Sequence, residues 1–110
     1  MFSITNKNAL ITGGARGIGL AIAQRFIADG ANVIIADIAD ATEVAKDIGA
    51  RYLKIDVTDE QSVAATFQAA EQMIGKLDIV VNNAGGALKD APVTEESADN
   101  YHRTLRLNSD

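Results

Sequence analysis

One segment, Thr12-Gly13-Gly14-Ala15-Arg16-Gly17-Ile18-Gly19, constrains the fold more than any other. It is entered from an apolar run, Ala9-Leu10-Ile11, and left by an amphipathic stretch. A glycine-rich join between a strand pattern and a helix pattern reads as a tight turn, because glycine takes up left-handed backbone without a steric penalty. Further short apolar runs, Val33–Ala36, Tyr52–Ile55 and Leu77–Val81, look like strands buried on both faces. Helical patterns lie between them. Ile18, Ile22 and Phe26 form one stripe that Gly30 ends. Asp40 with Glu43 has the spacing of a capping box, Val44 and Ile48 face inward, and Gly49 closes that helix. Thr58 with Gln61 opens a longer one carrying Val63, Phe67, Ala70 and Ile74, with Gly75 at its end. After the fourth strand, Pro92 falls in a loop, and Thr94-Glu95-Glu96 starts a last helix bearing Tyr101 and Leu105. Strand–helix alternation with right-handed crossovers implies an α/β fold, a Rossmann-type doubly wound parallel sheet in the order 3-2-1-4. The expectation is one domain, incomplete, with residues 1–110 as its N-terminal part and the sheet truncated after four strands.

The motifs fall where such a sheet holds a ligand, at the carboxyl ends of its strands. Strand, glycine turn, helix, strand and acid form the order in which a dinucleotide is bound. The turn lets backbone approach a pyrophosphate, and the helix after it points free N–H groups and its positive dipole end at the phosphates. Gly13 makes the turn, Gly17 allows the approach, and Gly19 permits tight helix packing; Arg16 and Ile18 belong to the same cofactor-binding loop. Asp37 ends the second strand, where its carboxylate can accept from adenine-ribose hydroxyls or stand as a solvated strand-end acid. A carboxylate there repels a 2′-phosphate and Ile38 offers no cation, so NAD is favoured over NADP. Arg16 is the counter-indication, since a guanidinium in the loop can reach a 2′-phosphate. Asp56-Val57 can bind an adenine, acid to amino group and N–H to ring nitrogen, or Asp56 can serve as a helix N-terminal acid. Asn82-Asn83-Ala84-Gly85 ends the fourth strand with small and amide residues; Asn83, Ala84 and Gly85 are read as both cofactor-binding and strand-tying.

Composition narrows the rest. With 47 % apolar residues the chain is globular, and a net charge of −5 argues against nucleic acid as a partner. There is no cysteine, hence no disulfide and no thiolate metal site, in keeping with a reducing cytoplasm. No metal site is expected, and no apolar run approaches the roughly 20 residues of a membrane span. His102 reads as a solvated residue, Tyr101 as core, Glu95-Glu96 as a helix start, and Ser3, Ser62 and Ser97 lack a histidine–acid setting.

With these residues in place, the chain resembles the short-chain dehydrogenase/reductase family from about Asn8 to Asn108. The motifs that carry the resemblance are Thr12-Gly13-x-x-x-Gly17-x-Gly19, Asp37, Asp56-Val57 and Asn82-Asn83-Ala84-Gly85, in that order. Tyr101 stands where the family usually has tryptophan, and Asn108 then takes the position of its catalytic asparagine, which holds a water in a proton relay. The resemblance implies alcohol/carbonyl hydride transfer with a nicotinamide cofactor. A tyrosine exchanges the proton, a lysine lowers that tyrosine's pKa, and a serine orients the substrate; the complete enzyme is commonly a homo-oligomer. No Tyr-x-x-x-Lys occurs in this chain, no catalytic serine follows Asn108, and Ser109-Asp110 departs from the apolar residue common there. The chain alone is therefore expected to bind cofactor without catalysing. The alternative is a non-catalytic nucleotide-binding product, or one that self-associates through a bare edge of strand four.

Overall fold

The structure, a computed structural model, describes residues 3–83 and the backbone of a strand at residues 103–106. The elements alternate as β1 (Asn8–Thr12), α1 (Gly17–Ala28), β2 (Asn32–Asp37), α2 (Thr42–Ile48), β3 (Arg51–Lys54), α3 (Glu60–Ile74), β4 (Ile79–Asn82) and β5 (Arg103–Arg106). All strand pairs are parallel and the order is β3-β2-β1-β4-β5, which contains the expected 3-2-1-4 arrangement. Ile11 lies in register with Ile35 on one side and Val81 on the other.

Because strand side chains alternate between faces, the apolar runs feed two cores. Leu10, Ile34, Ala36 and Val80 pack with Val63, Phe67 and Ala70 of α3, with Ile55 and with Leu77. Ala9, Ile11, Val33, Ile35, Ile79 and Val81 pack with Ala23, Ala31, Ala41 and Ala45 on the opposite face. Covering both faces is what makes the strands read as continuous rather than alternating apolar sequence.

The helices differ from the sequence reading in which residues they bury and how they begin. In α1 the buried residues are Gly19 and Ala23, whereas Ile22 and Phe26 are half-buried and Ile18 is 54 % exposed. Small residues bring the helix backbone close to the sheet, which turns Ile18 outward. Ala45, rather than Val44 or Ile48, is the buried residue of α2. The Asp40/Glu43 box is not formed: Asp40 Oδ1 accepts from Thr42 N–H (2.9 Å) and Oγ1 (2.6 Å), and Ala41 is the N-cap. Likewise Asp59, not Thr58, caps α3, accepting from Gln61 N–H (2.9 Å) and Ser62 N–H (3.4 Å). Thr58 is occupied with Asp56 and so is withdrawn from the helix end.

The larger correction concerns the sheet edge. Leu105 is on a strand, not a helix, and pairs with Val81, so that β5 runs beside β4 while the expected 3-2-1-4 order of the first four strands holds. The edge of β4 presents unpaired N–H and C=O groups, and an extended segment of the same chain satisfies them. Over Ile79–Asn82 the edge of β4 is paired with β5. Pro92, Thr94, Glu95, Glu96, Tyr101 and His102 lie outside the described residues.

Candidate functional site

The site grows from the end of β1. Gly13 and Gly17 have φ of +67° and +62°, the left-handed backbone that reverses the chain between strand and helix. Gly13 N–H is bound to Ala36 O at 2.8 Å, which pins the start of the turn to β2. Among the described residues, a Cβ on Gly17 would meet nothing within 4 Å, so this end of the turn is open for a ligand to approach. Gly19 is the opposite case. A Cβ there would land on the Gly13 carbonyl oxygen and 2.6 Å from Asn83 Nδ2. The first turn of α1 is therefore pressed onto the glycine turn, as the sequence reading had it. Gly14, which that reading did not single out, is needed for a similar reason: its Cβ would sit 2.8 Å from Ile35 Cγ2.

β4 braces the turn from the other side. Thr12 Oγ1 donates to Val81 O at 3.3 Å and accepts from Asn83 N–H at 3.0 Å, and Asn83 Nδ2 donates to Gly13 O at 3.2 Å. Among the described residues, Asn82 Oδ1 and Asn83 Oδ1 are buried acceptors without a hydrogen-bond partner. Such a group is costly to leave unmet, so polar unpaired atoms beside the turn mark a place prepared for a donor.

Asp37 ends β2 half-buried, with its two carboxylate oxygens on Ala15 N–H and Ala39 N–H, both at 3.0 Å. Its carbonyl accepts from Tyr52 OH at 2.9 Å and from Ile55 N–H at 3.1 Å. Burial, and then the nearby carboxylates of Asp40 and Asp37, push the Tyr52 phenol above its ordinary pKa, so it stays a donor. Asp56 follows β3. Its Oδ1 accepts from Thr58 Oγ1 at 2.6 Å and Thr58 N–H at 3.0 Å, and these bonds hold its carboxyl below the usual range.

These groups converge on an open crevice of about 480 Å³ at the carboxyl ends of the strands. Of the residues expected there, Gly13, Arg16, Ile18, Asp37, Asp56, Val57 and Asn83 line it. Ile38, Ile55 and Thr58 line it as well, unassigned as binding residues from sequence. Exposed Ile18 and Ile38, at 54 % and 60 %, supply apolar surface at its walls. The signal for Ile38 was faint: an isolated apolar residue beside a strand end has many explanations. Gly17 and Gly19 act through backbone rather than as lining. Ala84, Gly85 and Asn108 lie outside the described residues. Among the described residues no group of histidines, cysteines and acids could hold a metal ion, and no helix is long and apolar enough to cross a membrane.

A parallel doubly wound sheet with its glycine turn and crevice at the point where the winding reverses is the Rossmann type. The chain belongs to the short-chain dehydrogenase family, whose sequence profile matches residues 7–110. Galactitol 2-dehydrogenase of Agrobacterium fabrum is 48 % identical over 110 residues, covering 96 % of this chain and 42 % of that protein. The type-2 3-hydroxyacyl-CoA dehydrogenase of Drosophila melanogaster is 44 % identical over 88 residues, covering 76 % and 34 %. Among solved structures, a short chain dehydrogenase/reductase from Burkholderia phymatum in complex with NAD superposes with a TM-score of 0.73 at 29 % identity, covering 77 % of this chain and 33 % of that one. The chain spans less than half the length of the curated relatives it matches.

Proposed function

We propose that residues 1–110 are the N-terminal, dinucleotide-binding part of one Rossmann-type domain, belonging to an NAD-dependent oxidoreductase that interconverts alcohols and carbonyls. The observation that carries this reading is the glycine turn, open at Gly17 and closed at Gly19, facing Asp37 and Asp56 across one crevice. The residues present fit the cofactor: an unobstructed backbone for a pyrophosphate, a carboxylate for ribose hydroxyls, and apolar walls at Ile18 and Ile38 for a ring. Asp56 and Val57 would take the adenine edge, with Thr58 already ordering the acid. Asn83, Ala84 and Gly85 would let the cofactor pass close to the end of β4. When bound, a nicotinamide dinucleotide supplies a site that accepts or gives a hydride.

NAD is the preferred form in this reading. Asp37 places negative charge where a 2′-phosphate would go, and Ile38 offers nothing to neutralise it. Arg16, in the crevice wall, is the counter-indication, a cation on the glycine-turn side. The names of the relatives span polyols and acyl-CoA derivatives, so the substrate is proposed only as a class, a CH–OH group or its carbonyl. Asn108 is the proposed relay residue by its position in the family pattern, and this chain lacks the tyrosine and lysine the relay would serve. Binding without turnover is therefore the behaviour proposed for the 110-residue chain. Calorimetric titration with NAD and with NADP tests this. NAD should bind more tightly by about tenfold, the effect of one charge-assisted contact. Tighter NADP binding, or no heat at millimolar NAD, would overturn the reading.

A further inference from the structure

Both carboxylate oxygens of Asp37 are engaged by backbone. Its Oδ2 accepts from Ala15 N–H inside the glycine turn, and its Oδ1 accepts from Ala39 N–H in the connection to α2, each at 3.0 Å. The residue itself is fixed from behind, since its carbonyl holds both the Tyr52 hydroxyl and Ile55 N–H from the β3 side. One residue thereby joins three segments that line the crevice. Ala15 lies between Gly14, which fits closely against Ile35, and Gly17, whose Cβ position is open. Among the described residues, Asp37 is the acceptor that holds Ala15 N–H. An ionised carboxylate has about four acceptor positions, so these two bonds leave room for ribose hydroxyls.

From this arrangement we infer that Asp37 is a positioning residue for the glycine turn: by holding Ala15 N–H it orders the segment that meets the pyrophosphate. Ribose recognition and phosphate recognition are then coupled through one carboxylate. The inference rests on the dinucleotide reading for its functional half, and its structural half stands alone.

Two measurements separate those halves. Amide hydrogen exchange in the nucleotide-free chain compares the parent with Asp37→Ala. Ala15 and Ala39 amides should exchange faster by about tenfold or more, the signature of a lost local restraint, while Ile34 and Ile35 keep their protection. Unchanged exchange at Ala15 overturns the proposal. Should the β2 amides open as well, Asp37→Leu, which keeps a similar shape and has no acceptor, is judged by the same comparison at Ala15. The second measurement uses 2′,3′-dideoxyadenosine diphosphate, which has no ribose hydroxyls for Asp37 to bind. Removing a carboxylate should by charge alone tighten a diphosphate. Weakening by about fivefold, what one ordering hydrogen bond is worth, therefore reports the turn. Unchanged or tighter binding to Asp37→Ala overturns the coupling. If the parent binds neither this probe nor NAD, the dinucleotide reading fails, and the exchange result still decides whether Asp37 holds the turn.

Discussion

Replacing Gly19 by alanine isolates the contact on which the glycine turn depends. Alanine is ordinarily the better helix residue, and this exchange in α1 should by propensity stabilise by about 0.5–1 kcal/mol. Here the added methyl would land on the Gly13 carbonyl oxygen, 2.8 Å from Gly13 C and 2.6 Å from Asn83 Nδ2. The first two are backbone atoms, which no rotamer change can move. The helix must lift from the turn, and overpacking of this kind costs about 1–3 kcal/mol. Lifting also strains the 3.2 Å bond from Asn83 Nδ2 to Gly13 O, worth about 0.5–1.5 kcal/mol. The balance is a loss of about 2 kcal/mol, or a fall in Tm of about 10 °C for a domain of this size. Urea unfolding of the chain followed by circular dichroism measures it. Gly17→Ala is the control: it meets no atom of the described residues within 4 Å but must adopt a φ of +62°, a strain of about 1–2 kcal/mol. Gly17→Ala should lose nucleotide binding more completely than its stability change explains, because its methyl enters the open approach. If Gly19→Ala equals or exceeds the parent in stability, the close packing of α1 on the turn is wrong.

Other substitutions test the brace and the helix ends. Thr12→Val keeps the shape but strips the hydroxyl that Val81 O and Asn83 N–H share; a loss of about 1–3 kcal/mol in denaturant unfolding is expected from the stranded buried groups. Asp59→Ala removes the side chain that caps α3 and should cost about 1 kcal/mol, whereas Thr58→Ala should leave the helix end intact. The pH dependence has a defined sign. Thr58 and Thr42 hold the Asp56 and Asp40 carboxyls below their ordinary value of 3.8. Their contribution is complete above that value and is lost as pH falls through the lower folded one. Asp56→Asn should therefore flatten the acid limb of an unfolding profile; an unchanged acid limb would speak against the Asp56–Thr58 bonds. Tyr52 is shifted upward, so its contribution is present below pH 10 and lost as pH rises through the raised value. Tyr52→Phe should remove that alkaline loss.

Much of this protein is determined locally and is legible in the chain. Val33–Ala36 and Leu77–Val81 read as doubly buried strands because covering both faces removes polar alternation. The glycine pattern marks the turn because few other residues tolerate a φ near +65°, and both Gly13 and Gly17 lie there. Strand order follows from alternation and the handedness of crossovers. Distances between elements are decided only by the tertiary structure. Ile18 looks like core by spacing, yet Gly19 and Ala23 face the sheet, because the helix comes closest through its smallest residues. Gly14 is constrained by Ile35, and Asp37 is tied to Ala15 and Ala39; neither contact has a signature in one-dimensional spacing. Which of several neighbouring acids and hydroxyls caps a helix is settled by which is already engaged, as Thr58 is by Asp56. The strand at Arg103–Arg106 follows the same logic: residues that suit a helix in isolation pair with β4, since an open sheet edge offers hydrogen bonds that only the assembled fold presents.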